Sequence, residues 1–306
     1  MEFIGLQTQI WRNNTRSIFL LTMFPALLLA MLWIIILVLY RKREGPIIYY
    51  ANQTWLDAAP FVLLGTAIWF VIAWIFHSRM IHAATGAKPL ERTENMRVYN
   101  LLENLCISRG VPMPKLYVLE DDSLNAYASG ISQRSFAITV SRGMLNKLND
   151  AELEGVLAHE LTHILNRDVR VLVVSIIFAG IFSFLAQMML RGSARKSNGK
   201  GNGSAIIILL VVAIAWLISR IMQMAISRQR EYMADAGAVM LTKNGPALAS
   251  ALEKVAADPA IESVSRNDVA QLFIHHPKNE SALSFFNKLF STHPPIEERI
   301  EILKAW

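Results

Sequence analysis

Residues 149–165 read Asn149-Asp150-Ala151-Glu152-Leu153-Glu154-Gly155-Val156-Leu157-Ala158-His159-Glu160-Leu161-Thr162-His163-Ile164-Leu165. Asn149 followed three positions later by Glu152 is the signature of a capping box, so a helix starts here. Inside that helix His159-Glu160-Leu161-Thr162-His163 matches H-E-x-x-H. One helical turn is about 3.6 residues, so His159 and His163 project from one face, one turn apart. Their imidazole nitrogens can then reach a single tetrahedral zinc ion at about 2.0–2.1 Å. Glu160 follows the first histidine and sits beside the metal, placed to accept a proton from water. The bland alternative is an amphipathic helix carrying two surface histidines. The capped helical setting, which the chemistry requires, weighs against it.

A catalytic zinc takes three protein ligands and keeps one position open. Three candidates exist for the third ligand: Glu231, the pair His275-His276, and His293. Glu231 and Asp235 lie four apart in Ser227-Arg228-Gln229-Arg230-Glu231-Tyr232-Met233-Ala234-Asp235 and share a helical face. Glu231 would bind the metal while Asp235 hydrogen-bonds a ligating histidine. Taken alone, these acids read as a solvated face beside Arg228 and Arg230; next to H-E-x-x-H the ligand reading is preferred. His275-His276 precedes Pro277-Lys278-Asn279-Glu280 and reads as a surface loop.

Outward from the motif the chain turns apolar. Four runs stand out: Ile18–Tyr40, Phe61–Phe76, Val171–Leu190, and a run from Ala205 to Ser219 that needs Arg220 to complete a span. The first is closed by Arg41-Lys42-Arg43, is too long for a typical signal sequence and lacks a small-x-small cleavage site, so it reads as a retained anchor. Gly192–Ser204 is rich in glycine and serine and reads as a flexible connector, making the last two runs a helical hairpin. An even number of crossings then places His77–Arg170 and Ile221–Trp306 on one side, where they can form one domain. His163 precedes the third run and Glu231 follows the fourth by similar distances, which puts the metal near the membrane–water boundary.

Composition agrees. The chain has 306 residues, 53% of them hydrophobic and 18% charged, with a formal net charge of +6. Its basic residues cluster beside apolar runs and no basic stripe is interleaved with aromatics, so the partner is a lipid bilayer and nucleic acid is excluded. The single cysteine, Cys106, rules out an intramolecular disulfide and falls at an apolar helical position, a core thiol. Thr93–Arg109 has helical periodicity ended by Gly110, and Lys115–Leu119, Ala126–Ser129 and Ser135–Val140 read as short strands. The expected organisation is a two-helix membrane anchor in 1–78, the first half of a protease domain in 79–170, a membrane hairpin in 171–224, and the second half of the protease domain in 225–306.

These features resemble the HtpX family of membrane zinc endopeptidases, relatives of the type I CaaX prenyl proteases. The resemblance rests on the paired anchors, Asn125-Ala126-Tyr127-Ala128, His159–His163 followed by Asn166-Arg167-Asp168, the stretch Arg228–Gly237, and the tail Ser291-Thr292-His293-Pro294-Pro295 with Glu298-Arg299-Ile300. It implies a mainly α membrane protein: a gluzincin-like protease domain with a small β-sheet plus about four transmembrane or membrane-inserted helices. It implies Glu231 as third ligand and Asp235 as its outer partner. One zinc ion per subunit would be the cofactor, with no small-molecule cofactor. Substrate would add as a strand along Asn125, Ala126, Tyr127 and Ala128, and His293 would help hold the oxyanion. The implied role is stress-linked quality control of misfolded or damaged membrane proteins. The implied location is the bacterial inner membrane, multi-pass, with the active site facing the cytoplasm. Charge alone does not set that orientation.

Other readings are weighed on the same residues. A prenyl-protein protease with defined substrates encloses a chamber of more helices than four apolar runs supply. An intramembrane protease buries its motif in a spanning helix, whereas Glu152, Glu154, Arg167 and Asp168 surround this one. A non-catalytic zinc scaffold would close its fourth position and would not need Glu160.

Overall fold

The computed structural model describes residues 6–41, 43–171, 213, 230–258 and 294–306. The third and fourth apolar runs, the Gly192–Ser204 connector, His275, His276 and His293 therefore lie outside the described residues. The elements are α1 (Leu6–Tyr40), α2 (Ile47–Thr85), β1 (Lys88–Pro89), α3 (Met96–Arg109), β2 (Lys115–Leu119), β3 (Ala126–Ser129), β4 (Ala137–Ser141), α4 (Arg142–Lys147), α5 (Asp150–Leu165), α6 (helical residues 230–242), α7 (Gly245–Ala257) and α8 (Ile296–Lys304). The protein is mainly helical with a small mixed sheet.

These residues fall into two compact units. One contains Thr15–Phe76, most of α1 and the larger part of α2. Leu21–Tyr40 and Ile47–Ala83 are long and apolar enough to cross a membrane. Within this unit Trp33 Nε1 donates to Asn52 Oδ1 at 2.8 Å and Trp55 Nε1 donates to the Leu29 carbonyl at 2.8 Å, tying the two helices together. Leu63, Leu64, Ile68, Ile72 and Ile75 stay exposed.

The other unit carries the sheet, in the order β1-β2-β4-β3. β2 and β4 are parallel, and the remaining pairs are antiparallel. β3 is thus an edge strand. The Asn125 carbonyl accepts from Ser141 N at 2.9 Å, which directs the main-chain groups of odd-numbered residues toward β4. In an antiparallel strand the N–H and C=O of one residue point to the same side, so Ala126 and Ala128 turn theirs away from β4, while all four residues of β3 are buried.

α3 begins at Met96, later than the periodicity suggests, because Asn95 caps it by accepting from Val98 N. Gly110 ends it in the left-handed conformation at φ 67°, the expected stop. Cys106 lies on the buried face of α3, and burial pushes its thiol up to about 11, as befits a core residue. β4 starts at Ala137 and not at Ser135, since Ser135 closes a turn by donating its N–H to the Ser132 carbonyl at 2.9 Å. α5 packs against α3, β3, β4 and α7, and α8 packs on α7. This leaves α5 buried along nearly its whole length.

Candidate active site

The capping box that starts α5 is fully formed. Asn149 Oδ1 accepts from Glu152 N at 2.9 Å, and Asn149 N donates to Glu152 Oε2 at 2.9 Å. Glu152 also receives Ser250 Oγ at 2.7 Å and Lys254 Nζ at 2.7 Å, which anchors α5 to α7. Two turns further on, His159, Glu160 and His163 project into the interior, His159 and Glu160 being buried. α6 lies against the same helix because Gly237 has no side chain. A Cβ there would stand 2.3 Å from Thr162 Cγ2. That approach brings Glu231 to the histidines.

The Nε2 atoms of His159 and His163 are 3.2 Å apart. Glu231 places Oε2 3.7 Å from the first and Oε1 3.5 Å from the second. Each histidine backs onto a carboxylate: His163 Nδ1 lies 3.0 Å from Asp168 Oδ2, and His159 Nδ1 makes a bent approach of 2.9 Å to Asp235 Oδ1. A carboxylate accepts but does not donate, so each Nδ1 carries a proton and each Nε2 is turned toward the shared centre. Two imidazole nitrogens and a carboxylate converge at distances that a shared positive charge, a proton or a metal ion, would bridge. The tetrahedron around a metal with bonds of about 2.0–2.1 Å has edges of about 3.3–3.4 Å. The observed separations fit that size, and one ligand atom from each of the three residues falls within 4.8 Å of the others.

The electrostatics point the same way. Burial lowers the pKa of His159, but Asp235 and Glu231 outweigh it and raise it to about 9. The pocket therefore favours positive charge at the converging nitrogens. Burial raises the pKa of Glu160, with the two histidines opposing and the Glu231 charge adding to it. Asp235 stays below its ordinary value despite burial, because Arg299 and His159 favour its charge.

Arg299 was not legible as a site residue. It is 1% exposed. Its Nε donates to Asp235 Oδ2 at 2.8 Å, its Nη2 to Oδ1 at 2.7 Å, and its Nη1 lies 3.2 Å from Glu231 Oε2. The signal for it was charge balance: three acids gathered in one buried site call for a cation. Asp168 was equally hidden. Arg167 takes a left-handed φ of 59°, and this one residue turns Asp168 back toward His163.

Of the expected substrate residues, Asn125, Ala126, Tyr127 and Ala128 lie at and along β3. Asn125 Oδ1 accepts from Ala126 N at 3.0 Å, and the Tyr127 hydroxyl is bonded to Thr85 Oγ1 at 2.8 Å. α5, which carries Glu160, packs against β3, so the strand and the metal cluster adjoin; all four residues of β3 are buried. His293 lies just before the first described residue of the tail, Pro294.

Residues 92–306 match the family model described as peptidase family M48. The chain belongs to peptidase family M48. Relatives of this M48 peptidase include a protease HtpX homolog of Bacteroides fragilis (strain YCH46), 52% identical over 322 residues and covering 100% of both chains. A protease HtpX homolog of Tropheryma whipplei (strain Twist) is 36% identical over 247 residues, covering 80% of this chain and 84% of its own. Among solved structures, S. mikatae Ste24p aligns with a TM-score of 0.48 at 20% identity, covering 96% of this chain and 66% of that one. With family membership, full-length match to the protease HtpX homologues and two apolar helices of spanning length, the M48 peptidase is a membrane metallopeptidase.

Proposed function

We propose that the protein is a zinc endopeptidase of the bacterial inner membrane that hydrolyses misfolded or damaged membrane proteins, with its active site on the cytoplasmic side. One observation carries the reading: His159, His163 and Glu231 gather donor atoms within 4.8 Å, with Glu160 following His159 on the same buried helix. The donor set of two imidazoles and one carboxylate suits zinc. The fold assigned to this domain is gluzincin-like, with the anchor, hairpin and two protease halves divided as the sequence suggests.

His159, His163 and Glu231 would hold the metal, and Asp235 and Asp168 would orient the two rings. When bound, zinc supplies Lewis acidity toward water and the scissile carbonyl. Glu160 accepts the proton of the attacking water on its carboxylate and delivers it to the leaving amide nitrogen. The outward carbonyls of Ala126 and Ala128, with the Ala128 N–H, pair with an extended substrate segment, a mode that tolerates many sequences and suits unfolded targets. His293 is assigned to the oxyanion by resemblance.

The test uses full-length protein in detergent, with metal analysis and casein digestion. Wild type should hold one zinc per chain and digest casein. Glu160→Ala should keep the metal and lose at least about a hundredfold in rate, since general-base help is worth about that much or more. Undiminished digestion by Glu160→Ala would refute the mechanism. Ala128→Pro should impair digestion and spare zinc content; unchanged digestion would remove the strand edge from substrate binding.

A further inference from the structure

Arg299 sits on α8, far in sequence from both ligand helices, yet its whole fork is spent on site carboxylates. Two nitrogens grip Asp235 at 2.7 and 2.8 Å, and the third lies 3.2 Å from Glu231. Taking a guanidinium fully out of water is costly unless its partners are well placed. Docking α8 does not require that cost. Leu303 is buried against α7, where Gly245 leaves room for its carbonyl, and Tyr232 donates its hydroxyl to Glu298 Oε2 at 2.9 Å. The ion pairs of Arg299 thus serve something other than holding the helix in place.

We propose that Arg299 is a positioning residue of the metal site, presetting Asp235 against His159 and Glu231 against the shared donor centre before the metal enters. The inference rests on the zinc reading given above. A carboxylate with two free torsions and no cation beside it would swing away from His159, leaving that ring unoriented. The planar fork fixes both oxygens of Asp235 at once, which a lysine ammonium cannot do. Arg299 touches neither water nor substrate in this scheme; it acts through Asp235 and Glu231.

The experiment is a zinc-chelator competition on full-length protein in detergent, comparing wild type, Arg299→Lys, Arg299→Met, Asp235→Asn and the Arg299→Met/Asp235→Asn double variant. Circular dichroism and metal-free melting are recorded alongside. Losing an outer partner of a metal ligand costs about 10–100-fold in affinity. Arg299→Lys and Arg299→Met should each fall in that range, and so should Asp235→Asn. The double variant should be no more than about threefold worse than the weaker single, because the two residues act as one unit. Arg299→Lys keeps charge and length, so it decides the matter if Arg299→Met does not fold. Zinc affinity of Arg299→Lys within about twofold of wild type, or losses that multiply fully in the double variant, would overturn the proposal. So would a lowered metal-free melting temperature with zinc affinity intact. Wild type that binds no zinc would instead sink the underlying reading.

Discussion

At the scale of single residues, the site is two nested layers of charge. His159, His163 and Glu231 face one another, and Asp235, Asp168 and Arg299 stand behind them. The inner layer was legible in the sequence because its geometry is local: two histidines one turn apart on a helix, and an acid pair one turn apart on another. Of the outer layer only Asp235 was legible, one turn from Glu231; the rest depends on a single left-handed residue, Arg167, and on a cation from the last helix, and neither leaves a periodic trace. Asp168 offers the cleaner test of that layer. Replacing Asp168 by Asn keeps its volume but removes the charge facing His163 Nδ1. Metal affinity should drop about 10–100-fold, read by chelator competition. Unaltered affinity would mean that the 3.0 Å contact does not orient the ring.

Among elements, α5 is the organiser. Its start was readable from Asn149 and Glu152, and three of the four described strands were readable to within two residues; the two-residue β1 was missed. What the sequence hid was contact between elements, such as the seating of α6 on α5. Gly237 meets Thr162 so closely that even a methyl group would collide. Gly237→Ala should cost about 1–3 kcal/mol by overpacking and displace Glu231. A Thr162→Ala change in the same chain should recover part of the stability, which thermal unfolding of the single and double variants would reveal. Full additivity would argue against the contact. Glu152 yields a pH test. Burial pushes its carboxyl up, but Lys254, Ser250 and the Asn149 backbone outweigh this and hold it below the ordinary 4.5. Its charge therefore stabilises the fold above that pH, and the contribution fades as pH falls through the lower folded value. Glu152→Gln should be less stable than wild type near neutrality by about 1 kcal/mol, with the gap closing in acid. A gap that stays constant down to about pH 3 would contradict the assignment.

For the whole molecule, the mainly helical fold with its small mixed sheet is the one the sequence led us to expect. Exposed leucines and isoleucines along α2 form an apolar surface of the kind lipid covers. The protein should stay with the membrane pellet through alkaline carbonate extraction; quantitative release into the supernatant would oppose an integral anchor. The account turns, finally, on one cation held jointly by a helix at 159–163 and an acid at 231. Metal stoichiometry of purified Glu231→Ala, measured beside wild type by inductively coupled plasma mass spectrometry, tests it most directly. One zinc per wild-type chain and a small fraction of that in the variant is the predicted result. A full equivalent of zinc in Glu231→Ala would contradict it.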